Sequence, residues 1–213
     1  MAVTPQPAAR LGSPHESSLE RERFWTPATI ITLLRTATSG ILSFLAAQSG
    51  SMNLLLTGLA IYWVGDMADG ACARRFDHET RIGAVLDIIC DRFNASAFYL
   101  GLAWLRPEFA LPVGIYVAEF MTVDTFNSLA FLAWPTRSPN YFYEVDLPVF
   151  RFNWSKIAKA TNSAIFAVLL LITSWAWLGI VIAVAMWLVK LWTLRRLLGI
   201  GIPLPPPRIL EES

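Results

Sequence analysis

Six apolar stretches of membrane-spanning length follow one another along this chain, at approximately 28–48, 53–74, 82–104, 111–134, 157–174 and 176–194. A helix rises roughly 1.5 Å per residue, so about 20 mostly apolar residues cross a hydrocarbon core. Some of the six qualify only if their polar residues gather on one face. The connections between them are too short for a second domain, and no internal repeat is visible. The chain is 55% hydrophobic, with 9 Trp and 13 Phe in 213 residues, more than a soluble core of this size requires. A formal net charge of +1 and the lack of a long basic run argue against a nucleic-acid partner. Cys72 and Cys90 fall inside the apolar stretches and read as buried reduced thiols.

These features predict an all-α integral membrane protein with six transmembrane helices. Charge placement sets its orientation. With both termini inside, the outer connections fall near 49–52, 106–110 and 175, and they hold one basic residue, Arg106. The other sixteen of the 17 Lys and Arg lie at inner helix ends, in inner loops or in the tails. The positive-inside rule then places both termini in the cytoplasm. Residues 1–26 are expected to be a cytoplasmic lead with a short interfacial helix over ESSLERERFW, with no cleavable signal peptide. Residues 27–199 form the membrane domain, and the Pro-rich residues 200–213 a cytoplasmic tail.

Within the second and third stretches, residues 65–91 read GDMADGACARRFDHETRIGAVLDIICD. Four carboxylates there stand among apolar neighbours, where charge is costly and functional by default. Asp66 and Asp69 are three residues apart and Asp87 and Asp91 four apart, so each pair shares a helix face. The six-span topology sets both pairs at one depth, just inside the cytoplasmic surface. Four such charges repel strongly at low dielectric, so either protons or cations must compensate them. Hard divalent cations, Mg2+ or Mn2+, suit an all-oxygen donor set. Gly70 and Gly83, each near one aspartate pair, allow close approach of a ligand or a backbone. A proton or ion pathway is the rival reading, but it predicts acids spread along the membrane depth.

The stretch resembles the signature of the CDP-alcohol phosphatidyltransferases, D-x2-D-G-x2-A-R-x8-G-x3-D-x3-D, at every fixed position: Asp66, Asp69-Gly70, Ala73-Arg74, Gly83, Asp87 and Asp91. The six-span architecture with the motif on helices two and three is similar to that family as well. The resemblance implies a site for two metal ions held by Asp66, Asp69 and Asp87, with Asp91 at its edge acting as general base on the acceptor hydroxyl. Asp69, Gly70, Ala73, Arg74 and Gly83 would line the CDP pocket, with Arg74 on the diphosphate. It further implies a phosphatidyl group passing from CDP-diacylglycerol to a water-soluble alcohol with release of CMP. Such a protein is expected in the plasma or inner membrane as a homodimer, its active site facing the cytoplasm.

In the first stretch, TIITLLR (Thr29 to Arg35) resembles a Thr-x-x-Arg near the nucleotide site of several family members, which adds Thr29 to the CDP-binding set. The alternative is an arginine snorkelling to the interface. For the acceptor, Asp91 followed by Arg92 is similar to inositol-using members. Asp124, Asn127 and Ser128 form a polar stripe in the fourth stretch, suited to a polyol or to helix–helix hydrogen bonds. Lys156 and Lys159 share a face in the fifth stretch, suited to a phosphorylated acceptor or to interface anchoring. An inositol-type acceptor, phosphorylated or not, is favoured over glycerol 3-phosphate. A membrane cation transporter using the aspartates is the alternative of another class.

Overall fold

The computed structural model describes residues 22–202, and their regular structure is all helical, with no strand among them. The long helices are α1 (Pro27–Ser49), α2 (Met52–Arg75), α3 (Arg81–Leu105), α4 (Pro107–Ala133), α6 (156–173) and α7 (Ala176–Ile200). Between α4 and α6 lies a connection carrying a 3-10 turn (Pro139–Glu144) and a short helix α5 (Leu147–Asn153).

Local chemistry starts and stops these elements. Thr26 caps α1 by accepting from Thr29 N, Thr29 returns the bond by accepting from Thr26 N, and Pro27 sits where a missing N–H costs nothing. Gly50, at φ 68°, ends α1 in the left-handed region, and Ser51 at once caps α2. Thr80 caps α3 by accepting from Gly83 N at 3.0 Å. Two helices are interrupted by π turns, α4 at Phe120–Asp124 and α6 at Thr161–Ile165. Such turns re-aim side chains and are common at functional sites.

α1, α2 and α3 pack side by side, and α4 packs on α7. Small residues permit the first of these contacts: a Cβ on Gly58 would stand 3.2 Å from Ser39 O. An aromatic cluster of Phe98, Tyr99, Phe109, Tyr116, Phe120 and Phe166 joins α3, α4 and α6, with the Tyr116 and Phe166 rings 4.7 Å apart. A second cluster of Phe131, Trp134, Phe142, Val149, Trp154 and Leu197 pins the 134–155 connection to α4 and α7. The outer surface keeps large apolar side chains exposed, among them Leu34, Phe44, Leu100, Trp104, Ile172 and Leu188. Exposed apolar area on that scale suits lipid or a partner, not water.

Each expected apolar stretch coincides with a helix, and α7 runs six residues beyond its expected end at 194. Three of the helices, Pro27–Ser49, Pro107–Ala133 and Ala176–Ile200, are long and apolar enough to cross a membrane. α2 and α3 are as long, at 24 and 25 residues, but carry the aspartates and several arginines that lower their apolarity. Of the expected interfacial helix, residues 22–26 are not helical. Glu22 instead accepts from Arg81 N and Ile82 N at 2.8 and 2.9 Å, tying this segment to the start of α3. The rest of that expectation, and the tail from 203 on, lie outside the described residues.

Candidate active site

The antiparallel pairing of α2 and α3 brings both aspartate pairs to one level, and α1 supplies the third wall. Carboxylate oxygens of Asp66, Asp69 and Asp87 all lie within 4.8 Å of one another. Asp91 stands one turn further along α3, outside that trio. Asp69 is buried, whereas Asp66 and Asp87 keep roughly two-fifths of their side chains exposed, at 44% and 42%. Three or four carboxylate oxygens converging at the mouth of a cleft are a donor set that fits a hard divalent cation.

Arg35 sits at the centre of this cluster. Its Nε donates to Asp69 at 2.8 Å, and its Nη2 donates to Asp87 at 2.6 Å and Asp91 at 3.0 Å. Asp66 is 3.3 Å from the same nitrogen. Thr32, one turn earlier, donates to Asp69 at 2.7 Å, and the Tyr62 ring lies 5.3 Å below the guanidinium. The arginine is 3% exposed, so it does not snorkel; the aspartates hold it. Gly65 makes room for it, since a Cβ there would lie 2.6 Å from Arg35 Cβ.

Two clefts open on either side of Asp87. The first, of about 540 Å3, is lined by all six residues expected at a CDP pocket: Thr29, Asp69, Gly70, Ala73, Arg74 and Gly83. The Arg74 guanidinium lies over Gly70, where a Cβ would be 3.2 Å from Nη1. The hydroxyl of Thr29 is committed to the α1 cap and to Phe24 O, so it shapes the cleft wall. The second cleft, of about 880 Å3, is bounded by Asp66, Asp91, Arg92, Asp124, Ser128 and Lys159, among others. The two aspartate pairs are thereby divided: Asp69 faces the first cleft, Asp66 and Asp91 the second, and Asp87 both.

The residues expected at the acceptor are placed unequally. Arg92 pairs with Asp124, donates to Ser128 at 2.8 Å and covers the Phe120 ring at 3.8 Å. The other oxygen of Asp124 meets the buried Lys190 at 2.6 Å, and Lys190 also donates to Asn153 at 2.9 Å. Asn127 lies in neither cleft; it donates to Lys190 O and Thr193 Oγ1, bonding α4 to α7. Lys156 is exposed and away from both clefts. Lys159 lines the second cleft and donates to Asn140 at 2.6 Å.

Sequence reasoning had no means of placing Lys190, Asn153, Ser138 or Asn140, which come from elements distant in the chain. For Arg35 the sequence signal was present: a lone arginine in an apolar helix, one turn from Thr32. Its partners depend on the packing of α1 on α2.

A family model described as CDP-alcohol phosphatidyltransferase matches residues 25–192. A Mycobacteroides abscessus protein named phosphatidylinositol phosphate synthase is 39% identical over 98 residues, which is 45% of this chain and 43% of that protein. A protein of the same name from Mycobacterium tuberculosis is 40% identical over 72 residues, 30% of this chain and 33% of its own length. The CDP-diacylglycerol--inositol 3-phosphatidyltransferase of Candida albicans is 36% identical over 83 residues, 38% and 35% of the two chains. The alignments thus span less than half the length of these relatives. No solved structure matches the chain. The family match takes in α1 to α6 and most of α7, the aspartate helices included, and this chain belongs to the CDP-alcohol phosphatidyltransferase family.

Proposed function

We propose that this protein transfers a phosphatidyl group from CDP-diacylglycerol to a hydroxyl of an inositol-type alcohol, releasing CMP. The observation that carries this reading is the aspartate cluster standing between two clefts, with Asp87 in the wall of each. A two-substrate transfer needs the donor phosphorus and the acceptor hydroxyl to meet at such a point. The inositol-type acceptor is supported by the names of the relatives and by the polar second cleft. Lys159 at that cleft favours a phosphorylated acceptor, inositol phosphate, over free inositol.

Each side chain has a part in this reading. Arg74, beside Gly70 in the first cleft, binds the diphosphate, with Ala73 and Gly83 leaving space for the nucleotide. Asp66, Asp69 and Asp87 hold Mg2+ or Mn2+, two ions per site, with Asp91 at the edge. When bound, the metal supplies positive charge to the phosphoryl oxygens and the leaving phosphate. Asp91 faces the second cleft and takes the acceptor's proton, and Arg35 fixes its carboxylate through the 3.0 Å bond. Arg92 and Asp124 form part of the acceptor wall.

The chemistry joins a lipid-borne donor to a soluble acceptor, so the site belongs at a membrane surface. We take α2, α3 and α6 to span the bilayer beside α1, α4 and α7, with both termini and the site on the cytoplasmic face of a plasma or inner membrane. The protein is taken to work there as a homodimer.

The test is an acceptor screen with radiolabelled CDP-diacylglycerol in Mg2+ or Mn2+, reading CMP and the lipid product. Inositol phosphate is expected to give the largest kcat/KM, with inositol below it. A glycerol 3-phosphate product of higher kcat/KM overturns the acceptor assignment. Absence of CMP with all three alcohols overturns the transferase reading.

A further inference from the structure

The two clefts share a wall made of four residues. Ala84 and Asp87 come from α3, and Ser138 and Asn140 from the connection after α4. If donor and acceptor occupy the two clefts, the phosphorus under attack sits between Asp87 on one side and the 138–140 turn on the other. The aspartate side of that wall carries the family motif, and the facing side has no assigned part.

Ser138 has the properties of a ligand-contacting group. The residue is 7% exposed, and its Oγ has no hydrogen-bond partner. A buried hydroxyl left unsatisfied is destabilising, so a packed apolar side chain would be the better choice for filling space. The hydroxyl does not cap the 3-10 turn that follows it. Pro139 holds Ser138 in extended backbone at φ −157°, which fixes the backbone that carries the hydroxyl.

The turn is also held rigidly on both flanks. The Tyr141 hydroxyl donates to Glu79 before α3, and burial together with that carboxylate pushes the Tyr141 pKa up to about 12. Arg81 Nη2 donates to Leu132 O at 2.6 Å and Trp134 O at 3.3 Å. Trp134 packs edge-on against Phe142, with ring centroids 5.1 Å apart. Lys159 donates to Asn140 Oδ1 at 2.6 Å, linking the turn to α6. A donor held in place before the reaction stabilises developing charge without reorganisation at the moment it is needed.

We propose that Ser138 contacts the phosphoryl group during transfer, its hydroxyl donating to a non-bridging oxygen from the side opposite Asp87. This rests on the transferase reading above. In the step itself, the acceptor oxygen bonds to phosphorus as the bond to the CMP oxygen breaks. The broken bond's electron pair leaves with CMP, the acceptor proton passes to Asp91, and Ser138 keeps its own proton throughout.

The experiment compares full-length wild type and Ser138→Ala, with CDP-diacylglycerol and inositol phosphate, in steady-state kinetics and thermal unfolding. The expected result is a kcat lower by about 10- to 100-fold, the range for one lost hydrogen bond to a charged oxygen. Both KM values stay as in wild type, because the bond forms only in the transition state, and Tm is equal or higher, because an unsatisfied buried hydroxyl is removed. Asn140→Ala is expected to act differently, removing the Asn140 bond that positions Lys159 and raising the KM for inositol phosphate. An unchanged kcat in Ser138→Ala, a change confined to KM, or a loss of activity that follows a lower Tm each overturns the proposal. A wild-type protein that releases no CMP overturns the transferase reading itself, and this proposal with it.

Discussion

The Nη2 of Arg35 lies 2.6 Å from Oδ1 of Asp87, joining the first helix to the third at the aspartate that both clefts share. The same guanidinium holds Asp69 on the second helix at 2.8 Å. One buried cation therefore sets the distances among carboxylates that would otherwise repel one another at low dielectric. It fixes the geometry of the site and the packing of α1 on its neighbours together.

Arg35→Gln tests that double role. Removing one partner of a buried ion pair costs about 3–5 kcal/mol, and the lower end applies here because Asp66 and Asp87 are partly exposed. In detergent solution without divalent ions, Tm is expected to fall by roughly 10 °C. Added Mg2+ or Mn2+ should raise the Tm of the variant more than that of wild type, because it relieves repulsion that Arg35 relieves in the native protein. Equal Tm values without metal would show that the aspartates do not depend on the arginine.

Gly65→Ala should have a similar origin and a smaller size. The new Cβ would meet Arg35 Cβ at 2.6 Å and Cδ at 2.7 Å, so α1 must move or the guanidinium must leave the aspartates. Overpacking of this kind costs about 1–3 kcal/mol. Gly114→Ala is the control, since its Cβ would meet nothing within 4 Å. Thermal unfolding should separate the two variants, with Gly114→Ala at or slightly above wild type. Equal behaviour would mean that α1 is not held close at Gly65.

Lys190→Met removes the charge at the back of the second cleft. Lys190 is 1% exposed and bridges Asp124 and Asn153, so the loss leaves Asp124 with Arg92 alone. A loss of about 3–5 kcal/mol is expected, visible as a lower Tm. Adding Asp124→Asn should recover part of it, because the charge left behind is then removed as well. If the double variant is as unstable as the sum of the two single variants, the pair is not coupled.

Asp91→Asn should lower kcat by about 10²- to 10⁴-fold, the contribution of a positioned general base. The KM for CDP-diacylglycerol should change little, because Asp91 faces the other cleft. A companion measurement of divalent-induced Tm shift should stay close to wild type, since Asp66, Asp69 and Asp87 form the tighter trio. Retained turnover would remove Asp91 from the role of base.

Much of the site was legible because its geometry is local. Two aspartates three residues apart and two four apart must share helix faces, and a short basic turn must bring those helices back antiparallel. Apart from Thr29 on α1, the residues expected at CDP lie on the same two helices, and all of them line one cleft. The stripe on α4 shows the limit of that logic. Asp124, Asn127 and Ser128 share a face as their spacing requires, yet Asn127 bonds to α7 while Asp124 and Ser128 reach the second cleft. Asn127 lies on the flank of the stripe that meets α7, and which flank does so depends on helix packing that periodicity alone does not reveal.

The sequence by itself determined the helical class, the apolar stretches and the two aspartate pairs, because each depends on repeats of three or four residues along one helix. Tertiary structure alone decided that Arg35 lies among the aspartates, that Lys190 stands behind Asp124, and that Ser138 closes the junction of the clefts. Those contacts join residues 34 to 66 positions apart or lie in a connection without periodicity, and they follow from how the helices rotate and pack. Burial then fixes their strength: away from water, a charge or a hydroxyl must find its partner across the fold.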